Sequence, residues 1–117
     1  MPADRKIDYV EFPATDLDAI EAFYSRVFGW TFEDYGEGYR AFSDGRLDGG
    51  FYKSDARSNT ATGAALVVLY ADDLEGVQRA VVEGGGFVVR ETFEFPGGRR
   101  FHFADPHGNE LAVWSSS

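Results

Sequence analysis

The feature that most constrains this chain is an internal repeat, in which the second half follows the first at an offset of 57 residues. The correspondences are Asp16-Leu17 with Asp73-Leu74, Gly29-Trp30 with Gly86-Phe87 and, at an offset of 61, Phe42-Ser43-Asp44 with Phe103-Ala104-Asp105. A helix start and a helix end that recur at one offset indicate a duplication rather than coincidence. The chain is therefore expected to contain two copies of one structural unit.

The first copy is predicted to contain a strand, a helix and three further strands. Apolar residues recur at helical spacing at Leu17, Ile20, Phe23, Tyr24, Val27 and Phe28. Thr15 followed by Asp18 resembles a capping box at the start of this helix, and Gly29 ends it. Alternating, β-branched and aromatic stretches predict strands at residues 6–12, 30–34, 39–43 and 47–52.

The second copy repeats this order after a polar linker at residues 53–62. Strands are predicted at residues 64–70, 86–95, 99–104 and 110–114, and a helix at residues 73–82. The pattern predicts an α+β fold of two βαβββ modules, residues 5–53 and 63–115, within a single domain of residues 1–117. Each helix would cover one face of its sheet, and the two remaining faces would form a cup-shaped pair with the pocket between the copies.

Composition excludes several classes of function. The formal net charge of −9 disfavours binding to nucleic acid or to an anionic membrane. The chain has no cysteine, which excludes disulfides, thiolate metal ligands and a cysteine nucleophile. It has neither an apolar stretch long enough to span a bilayer nor an apolar secretory segment at its N-terminus, so a cytoplasmic location is expected.

Several short motifs, taken in order, resemble those of the vicinal oxygen chelate superfamily. They are Tyr9-Val-Glu-Phe-Pro-Ala-Thr-Asp-Leu17, Phe23-Tyr24, Phe28-Gly29-Trp30 and Asp105-Pro-His-Gly-Asn109. The superfamily includes glyoxalase I, extradiol dioxygenases, fosfomycin-modifying enzymes and the metal-free bleomycin resistance proteins, which sequester their ligand. The resemblance implies a glyoxalase-like cup and a homodimer. In the metal enzymes it also implies a divalent ion held by His, Glu or Gln on the first and last strands of the modules.

The positions at which the resemblance implies metal ligands carry other residues. They fall on Tyr9 and Leu66 in the first strands, on Ala112 in the last strand, and near Phe51 in the first copy. A divalent metal site needs about three His or carboxylate ligands. We therefore expect no metal at the inherited positions and no cofactor.

The residues predicted to face into the cup indicate what it binds instead. They give an aromatic and aliphatic lining with few polar groups, which favours a small hydrophobic or aromatic ligand. The candidate ligand-binding residues are Tyr9, Glu11, Phe51, Leu66, Val68, Tyr70, His102, Ala112 and Trp114. The first hypothesis is thus a metal-independent small-molecule binding protein that holds its ligand without turnover. Alternatively, these side chains pack a core, and the chain is an interaction module with a filled cup.

The register of the last hairpin decides which polar residues share the cup face. If residues 105–109 form its loop, His102 opposes Ala112 and Ala104 opposes Glu110. The proline, glycine and asparagine of this loop are typical turn residues, so His107 within it is interpreted as part of the turn.

A second hypothesis, based on that register, is a lyase or dioxygenase with a relocated metal. Glu11, His102 and Glu110 would form a His-carboxylate cluster in the cup, and Glu11 or His102 would serve as a general base. The alternative interpretation is that both glutamates are solvated residues at the rim and that His102 is a cross-strand polar residue.

Overall fold

The structure, a computed structural model, describes residues 2–117 and divides into two compact units, of which the first ends at Ala56 and the second begins at Arg57. The first unit contains β1 (Tyr9–Ala14), α1 (Leu17–Phe28), β2 (Thr31–Asp34), β3 (Tyr39–Ser43) and β4 (Asp48–Lys53). The second contains a short 3-10 helix (Thr60–Thr62), β5 (Val67–Tyr70), α2 (Leu74–Glu83), β6 (Phe87–Phe95), β7 (Gly98–Ala104) and β8 (Glu110–Ser115).

Each unit contains one four-stranded mixed sheet and one helix. The strand order is β1-β4-β3-β2 in the first sheet and β5-β8-β7-β6 in the second. β1 runs parallel to β4 and β5 runs parallel to β8, whereas the other neighbouring strands are antiparallel. The predicted α+β class and the order βαβββ in each half are confirmed. Within residues 2–117, no helix is long and apolar enough to cross a membrane.

Two strands begin later than the sequence pattern predicts. β1 begins at Tyr9 rather than at residue 6, because the Lys6 N–H donates to the Ala3 carbonyl at 3.2 Å and closes a turn. β5 begins at Val67 rather than at residue 64, because the Ala64 N–H donates to the Asn59 carbonyl at 3.1 Å. A backbone donor that is used in a turn is lost to the strand ladder, so the strands start beyond these turns.

The two helices begin at equivalent aspartates. Asp16 and Asp73 each accept a hydrogen bond through Oδ1 from the backbone N–H three residues later, at 3.0 Å in both cases. The predicted capping box at Thr15 is therefore wrong, because the N-cap is Asp16 and its carboxylate satisfies the free N–H of the first turn. Gly29 ends α1 as predicted, in the left-handed conformation with φ of 72°.

Aromatic rings fill the space between α1 and the first sheet. Tyr24 of α1 stacks on Trp30 with ring centroids 4.5 Å apart, and Trp30 stacks on Phe42 of β3 at 4.4 Å. Phe51 of β4 lies 5.4 Å from the Tyr24 ring. Because successive residues of a strand face opposite sides of the sheet, this packing determines which side chains face away from α1.

The second sheet packs on α2 through a smaller apolar core. The buried residues are Leu74 and Val81 of α2, Phe101 and Phe103 of β7, and Leu111 and Val113 of β8. Alternation along β7 then places Arg100 and His102 on the face away from α2.

The loop between β7 and β8 forms a tight turn around Asp105. Its Oδ1 accepts hydrogen bonds from the N–H groups of His107 at 2.9 Å, Gly108 at 3.0 Å and Asn109 at 3.0 Å. Gly108 has a φ of 106°, a conformation that favours glycine. The interpretation of His107 as a turn residue is confirmed, and so is the predicted register of this hairpin, with His102 opposite Ala112.

Candidate functional site

The sheet face opposite α1 carries an open cavity in the first unit. Its volume is about 660 Å³, within the range of small-molecule sites. The residues that line it include Tyr9, Thr31, Glu33, Tyr35, Tyr39, Ala41, Ser43 and Asp48. Aromatic rings, hydroxyls and carboxylates are combined here, so the lining is more polar than the one predicted from the sequence.

Three side chains on this face form a directed chain of hydrogen bonds. The Tyr39 hydroxyl donates to Glu11 Oε2 at 2.8 Å, and its oxygen lies 2.7 Å from the Tyr9 hydroxyl. Because a phenol has one proton, and Tyr39 gives its proton to Glu11, Tyr9 must be the donor to Tyr39. The Tyr9 oxygen therefore retains accepting capacity for a hydrogen-bond donor on a ligand.

Gly50 of β4 makes room for this chain. A side-chain carbon at Gly50 would overlap the ring and hydroxyl of Tyr39, which shows that the ring lies directly over the backbone of β4. Gly50 also pairs with Glu11 on β1 and with Ala41 on β3. The missing side chain thus allows the Tyr39 hydroxyl to reach Glu11.

The surroundings of Tyr39 and Tyr35 keep both phenols protonated. Burial raises the pKa of Tyr39, and the hydrogen bonds with Tyr9 and Glu11 raise it further. The hydrogen bond of Tyr35 to Glu33, and the charge of that carboxylate, raise the pKa of Tyr35. Both phenols remain neutral, while the nearby carboxylates make the face acidic. Such a face favours ligands that carry hydrogen-bond donors or positive charge.

The prediction that Phe51 faces the ligand side is wrong. Phe51 is fully buried, and its ring lies 5.5 Å from that of Phe12 and 5.4 Å from that of Tyr24. The register explains the error. Gly50 pairs with Glu11 in the first unit as Ala112 pairs with Val68 in the second, so Gly50 occupies the position that the repeat assigned to Phe51.

In the second unit, most of the predicted site residues share the face opposite α2. Val68 pairs with Ala112, and Tyr70 pairs with Trp114, whose ring lies 5.0 Å from that of Tyr70. Phe95 of β6 adds a further ring 6.2 Å from Trp114. Leu66 lies just before β5, outside the strand ladder. The structure therefore places Val68, Tyr70, Ala112 and Trp114 together on an apolar surface, and their role in ligand binding stays a prediction.

His102 and Glu110 form a buried pair on the same face. His102 Nδ1 lies 2.9 Å from Glu110 Oε2, and the other carboxylate oxygen accepts from the N–H and hydroxyl of Thr60 at 2.9 and 2.8 Å. Burial raises the pKa of the Glu110 carboxyl, but the hydrogen bonds from His102 and Thr60 outweigh it, and the net pKa is below the ordinary value. Glu110 is thus a buried carboxylate, whereas Glu11 is exposed and bonded to Tyr39.

The donor set does not fit the divalent metal that the family resemblance implies. The inherited positions carry Tyr9, Gly50, Leu66 and Ala112, which together offer a single phenol. Within each unit, the described residues contain no group of three or more His, Cys, Asp or Glu side chains that could hold a metal ion. His102 and Glu110 supply two such side chains in the second unit, one fewer than a protein metal site ordinarily uses.

The sequence analysis did not identify Tyr39, Gly50 and Thr60. Tyr39 and Gly50 position the carboxylate of Glu11, and Thr60 positions that of Glu110. Antiparallel pairing of the predicted strands 39–43 and 47–52 through a short turn could have placed Tyr39 and Gly50 on one face. No sequence signal pointed to Thr60, because its contact with Glu110 joins a loop to a strand 50 residues away.

Comparison with known proteins agrees with the observed fold. The sequence model of the Glyoxalase/Bleomycin resistance protein/Dioxygenase superfamily matches residues 6–113. The chain is 32% identical over 124 residues to the anthracycline biosynthesis protein DnrV of Streptomyces peucetius. That alignment covers 91% of this chain but 45% of DnrV, so the chain spans less than half the length of this relative.

Two solved structures have a similar fold. A glyoxalase/bleomycin resistance protein/dioxygenase family enzyme from Burkholderia phytofirmans superposes with a TM-score of 0.79 and 16% identity, over 94% of this chain and 98% of that chain. A glyoxalase-related enzyme from Fulvimarina pelagi superposes with a TM-score of 0.78 and 16% identity, over 95% of this chain and 88% of that chain. At these identities the similarity demonstrates the glyoxalase-like fold alone.

Proposed function

Because the chain belongs to the Glyoxalase/Bleomycin resistance protein/Dioxygenase superfamily, we propose that it is a metal-independent protein that binds a small aromatic molecule. The observation that carries the proposal is the chain of hydrogen bonds from Tyr9 through Tyr39 to Glu11 beside the 660 Å³ cavity of the first unit. Because its three side chains hold one another in place, this network can fix the orientation of a ligand that stacks on the neighbouring rings.

The polar lining narrows the class of ligand. Glu33 and Asp48 add carboxylates to the cavity, and the Tyr9 oxygen is available as an acceptor. A planar aromatic molecule with hydroxyl groups on its edge would present donors to these acceptors while its rings contact Tyr9 and Tyr35. The name of the Streptomyces peucetius relative points in the same direction, since anthracyclines are planar aromatic phenols.

A fluorescence titration with quinizarin, a planar dihydroxyanthraquinone, tests the proposal. We expect saturable binding that persists in the presence of a chelator. Tyr39→Phe removes the central hydroxyl, so binding should weaken about three- to tenfold, which corresponds to one hydrogen bond. Tyr52→Phe is the matched control, because Tyr52 lies opposite Tyr39 on β4 but does not line the cavity, and it should bind like the unmodified protein.

Three outcomes would overturn the proposal. They are the absence of saturable binding, loss of binding when the chelator is added, and a Tyr39→Phe variant that binds as tightly as the Tyr52→Phe control. Thermal unfolding of both variants in the absence of ligand separates a weaker site from a less stable unit.

The homodimer, the cytoplasmic location and the two-sheet cup stay predictions that follow from the sequence and the resemblance. Light scattering on the purified chain checks the first of these. A mass of one chain at micromolar concentration would contradict it.

A further inference from the structure

Two buried nitrogen atoms on the face of the second sheet that lies away from α2 have no hydrogen-bond partner within residues 2–117. They are His102 Nε2 and Arg100 Nε, on neighbouring same-face positions of β7. A buried polar atom without a partner costs about 1–3 kcal/mol, and native proteins normally supply one from the protein, from water or from a ligand. The two atoms therefore mark a place where a polar molecule completes the structure.

The hydrogen bond with Glu110 determines what His102 can offer such a molecule. The His102 side chain is 8% exposed, and its Nδ1 lies 2.9 Å from Glu110 Oε2. Hydrogen bonds from Thr60 help to keep Glu110 a carboxylate, which accepts and cannot donate. In its neutral form the imidazole therefore carries its proton on Nδ1, and Nε2 presents a lone pair.

Aromatic and cationic side chains lie near the His102 ring. The Phe93 ring lies 5.9 Å from the His102 ring, and the Arg90 guanidinium carbon lies 3.7 Å from the centre of the Phe93 ring. The Arg100 guanidinium carbon lies 5.3 Å from the same ring and 5.7 Å from that of Phe95. Guanidinium groups bind oxyanions strongly, and aromatic faces contact planar molecules. The face thus combines one proton acceptor with two positive groups and two rings.

We propose that this face binds a phenol and that His102 accepts the proton of its hydroxyl. The oxygen–hydrogen bond breaks with its electron pair left on oxygen, and the Nε2 lone pair forms the new nitrogen–hydrogen bond. The products are a phenolate beside Arg100 and an imidazolium whose charge is balanced by Glu110. His102 is the proton-accepting residue, and Glu110 is a positioning residue that acts through it. All of these groups belong to the second unit, and none of them lines the cavity of the first.

Absorbance of para-nitrophenol tests the transfer directly, because its phenolate absorbs at a longer wavelength than its phenol. At a pH one unit below the pKa of the free probe, the protein should raise the phenolate fraction, lowering the apparent pKa of the probe by about one unit, or tenfold in its ionisation constant. His102→Gln should abolish this shift, and Glu110→Gln should reduce it. His107→Gln, a change of the other histidine, should leave it intact.

The controls separate this site from the proposed ligand cavity. Tyr39→Phe should leave the shift of para-nitrophenol unchanged, whereas it weakens quinizarin binding. Para-nitroanisole, which has no acidic proton, should bind more weakly than para-nitrophenol in the unmodified protein. An unshifted probe, or a shift that survives His102→Gln, would overturn the proposal.

Nuclear magnetic resonance of the unmodified protein gives a readout that does not depend on the folding of a His102 or Glu110 variant. Nitrogen–proton correlation spectra of the imidazoles should show His102 with its proton on Nδ1 at neutral pH, and the Nε2 resonance should move when para-nitrophenol is added. His107→Gln identifies which of the two histidine signals belongs to His102. A proton on Nε2, or an Nε2 resonance that the probe leaves unmoved, would contradict the assignment.

Discussion

The two units share one backbone plan but carry opposite chemistry on the sheet faces that lie away from their helices. In the first, Tyr39 and Ala41 of β3 face away from the helix, and at the offset of 61 they correspond to Arg100 and His102 of β7. One face is therefore acidic and rich in phenols, whereas the other is cationic and holds an imidazole. The two units thus share their strand pairing and the N-caps of their helices, whereas the residues on these faces differ.

Equivalent positions next to this pair show the same divergence. Ser43 pairs with Asp48 in the first unit, and Ala104 pairs with Glu110 in the second, so Asp48 and Glu110 are equivalents. Asp48 is exposed at its cavity, whereas Glu110 is buried and holds His102. A carboxylate at one place in the fold thus lines a cavity in one unit and holds a buried histidine in the other.

The largest expected effect on stability concerns Phe51, which the structure places in the core and not in the lining of a ligand site. Phe51→Ala removes a fully buried ring, so the free energy of unfolding should fall by about 3–5 kcal/mol. Tyr52→Ala, the next residue and 40% exposed, should cost far less. Denaturant unfolding of both variants measures the difference, and equal losses would contradict the assignment of Phe51 to the core.

A smaller effect is expected at Gly50, which the first unit needs as glycine. A Cβ there would overlap Tyr39, so Gly50→Ala should lower the free energy of unfolding by about 1–3 kcal/mol and weaken quinizarin binding as well. Gly38→Ala is the matched control, because a Cβ at Gly38 meets no atom within 4 Å and its backbone is not left-handed. Equal quinizarin affinity of the Gly50→Ala and Gly38→Ala variants would show that the position of Tyr39 does not depend on a glycine at residue 50.

The difference between the buried carboxylate of Glu110 and the exposed one of Asp48 can be tested through the pH dependence of stability. Its folded pKa is lowered, so its stabilising contribution is present above the ordinary pKa of a glutamate and is lost as the pH falls through the folded value. Glu110→Gln should therefore cost about 1–3 kcal/mol at neutral pH, and the difference from the unmodified protein should shrink in acid. Asp48→Asn should change stability little at either pH. A cost of Glu110→Gln that does not vary with pH would show that the buried charge contributes nothing.

The sequence predicted those parts of the molecule that depend on short-range patterns. The helix stripe from Leu17 to Phe28 and the turn at Gly108 depend on local spacing, and both agree with the structure. The hairpin register was also accessible, because a short loop fixes the pairing of His102 with Ala112. Phe51 was misplaced because a shift of one residue moves a side chain to the other face of a sheet. Thr60 was beyond reach, since the loop that carries it approaches Glu110 only in the folded chain.

The smallest expected effect is at the helix caps, the one feature in which the two units should respond alike. Asp16→Ala and Asp73→Ala each remove a carboxylate that accepts from the first turn at 3.0 Å, so each should cost about 1 kcal/mol. Asp16→Asn and Asp73→Asn should retain most of the stability, because asparagine is an equally good N-cap. If Asp16→Ala left stability unchanged while Thr15→Ala lowered it, the N-cap of α1 would be Thr15, as the sequence predicted. The two helices would then begin with different caps.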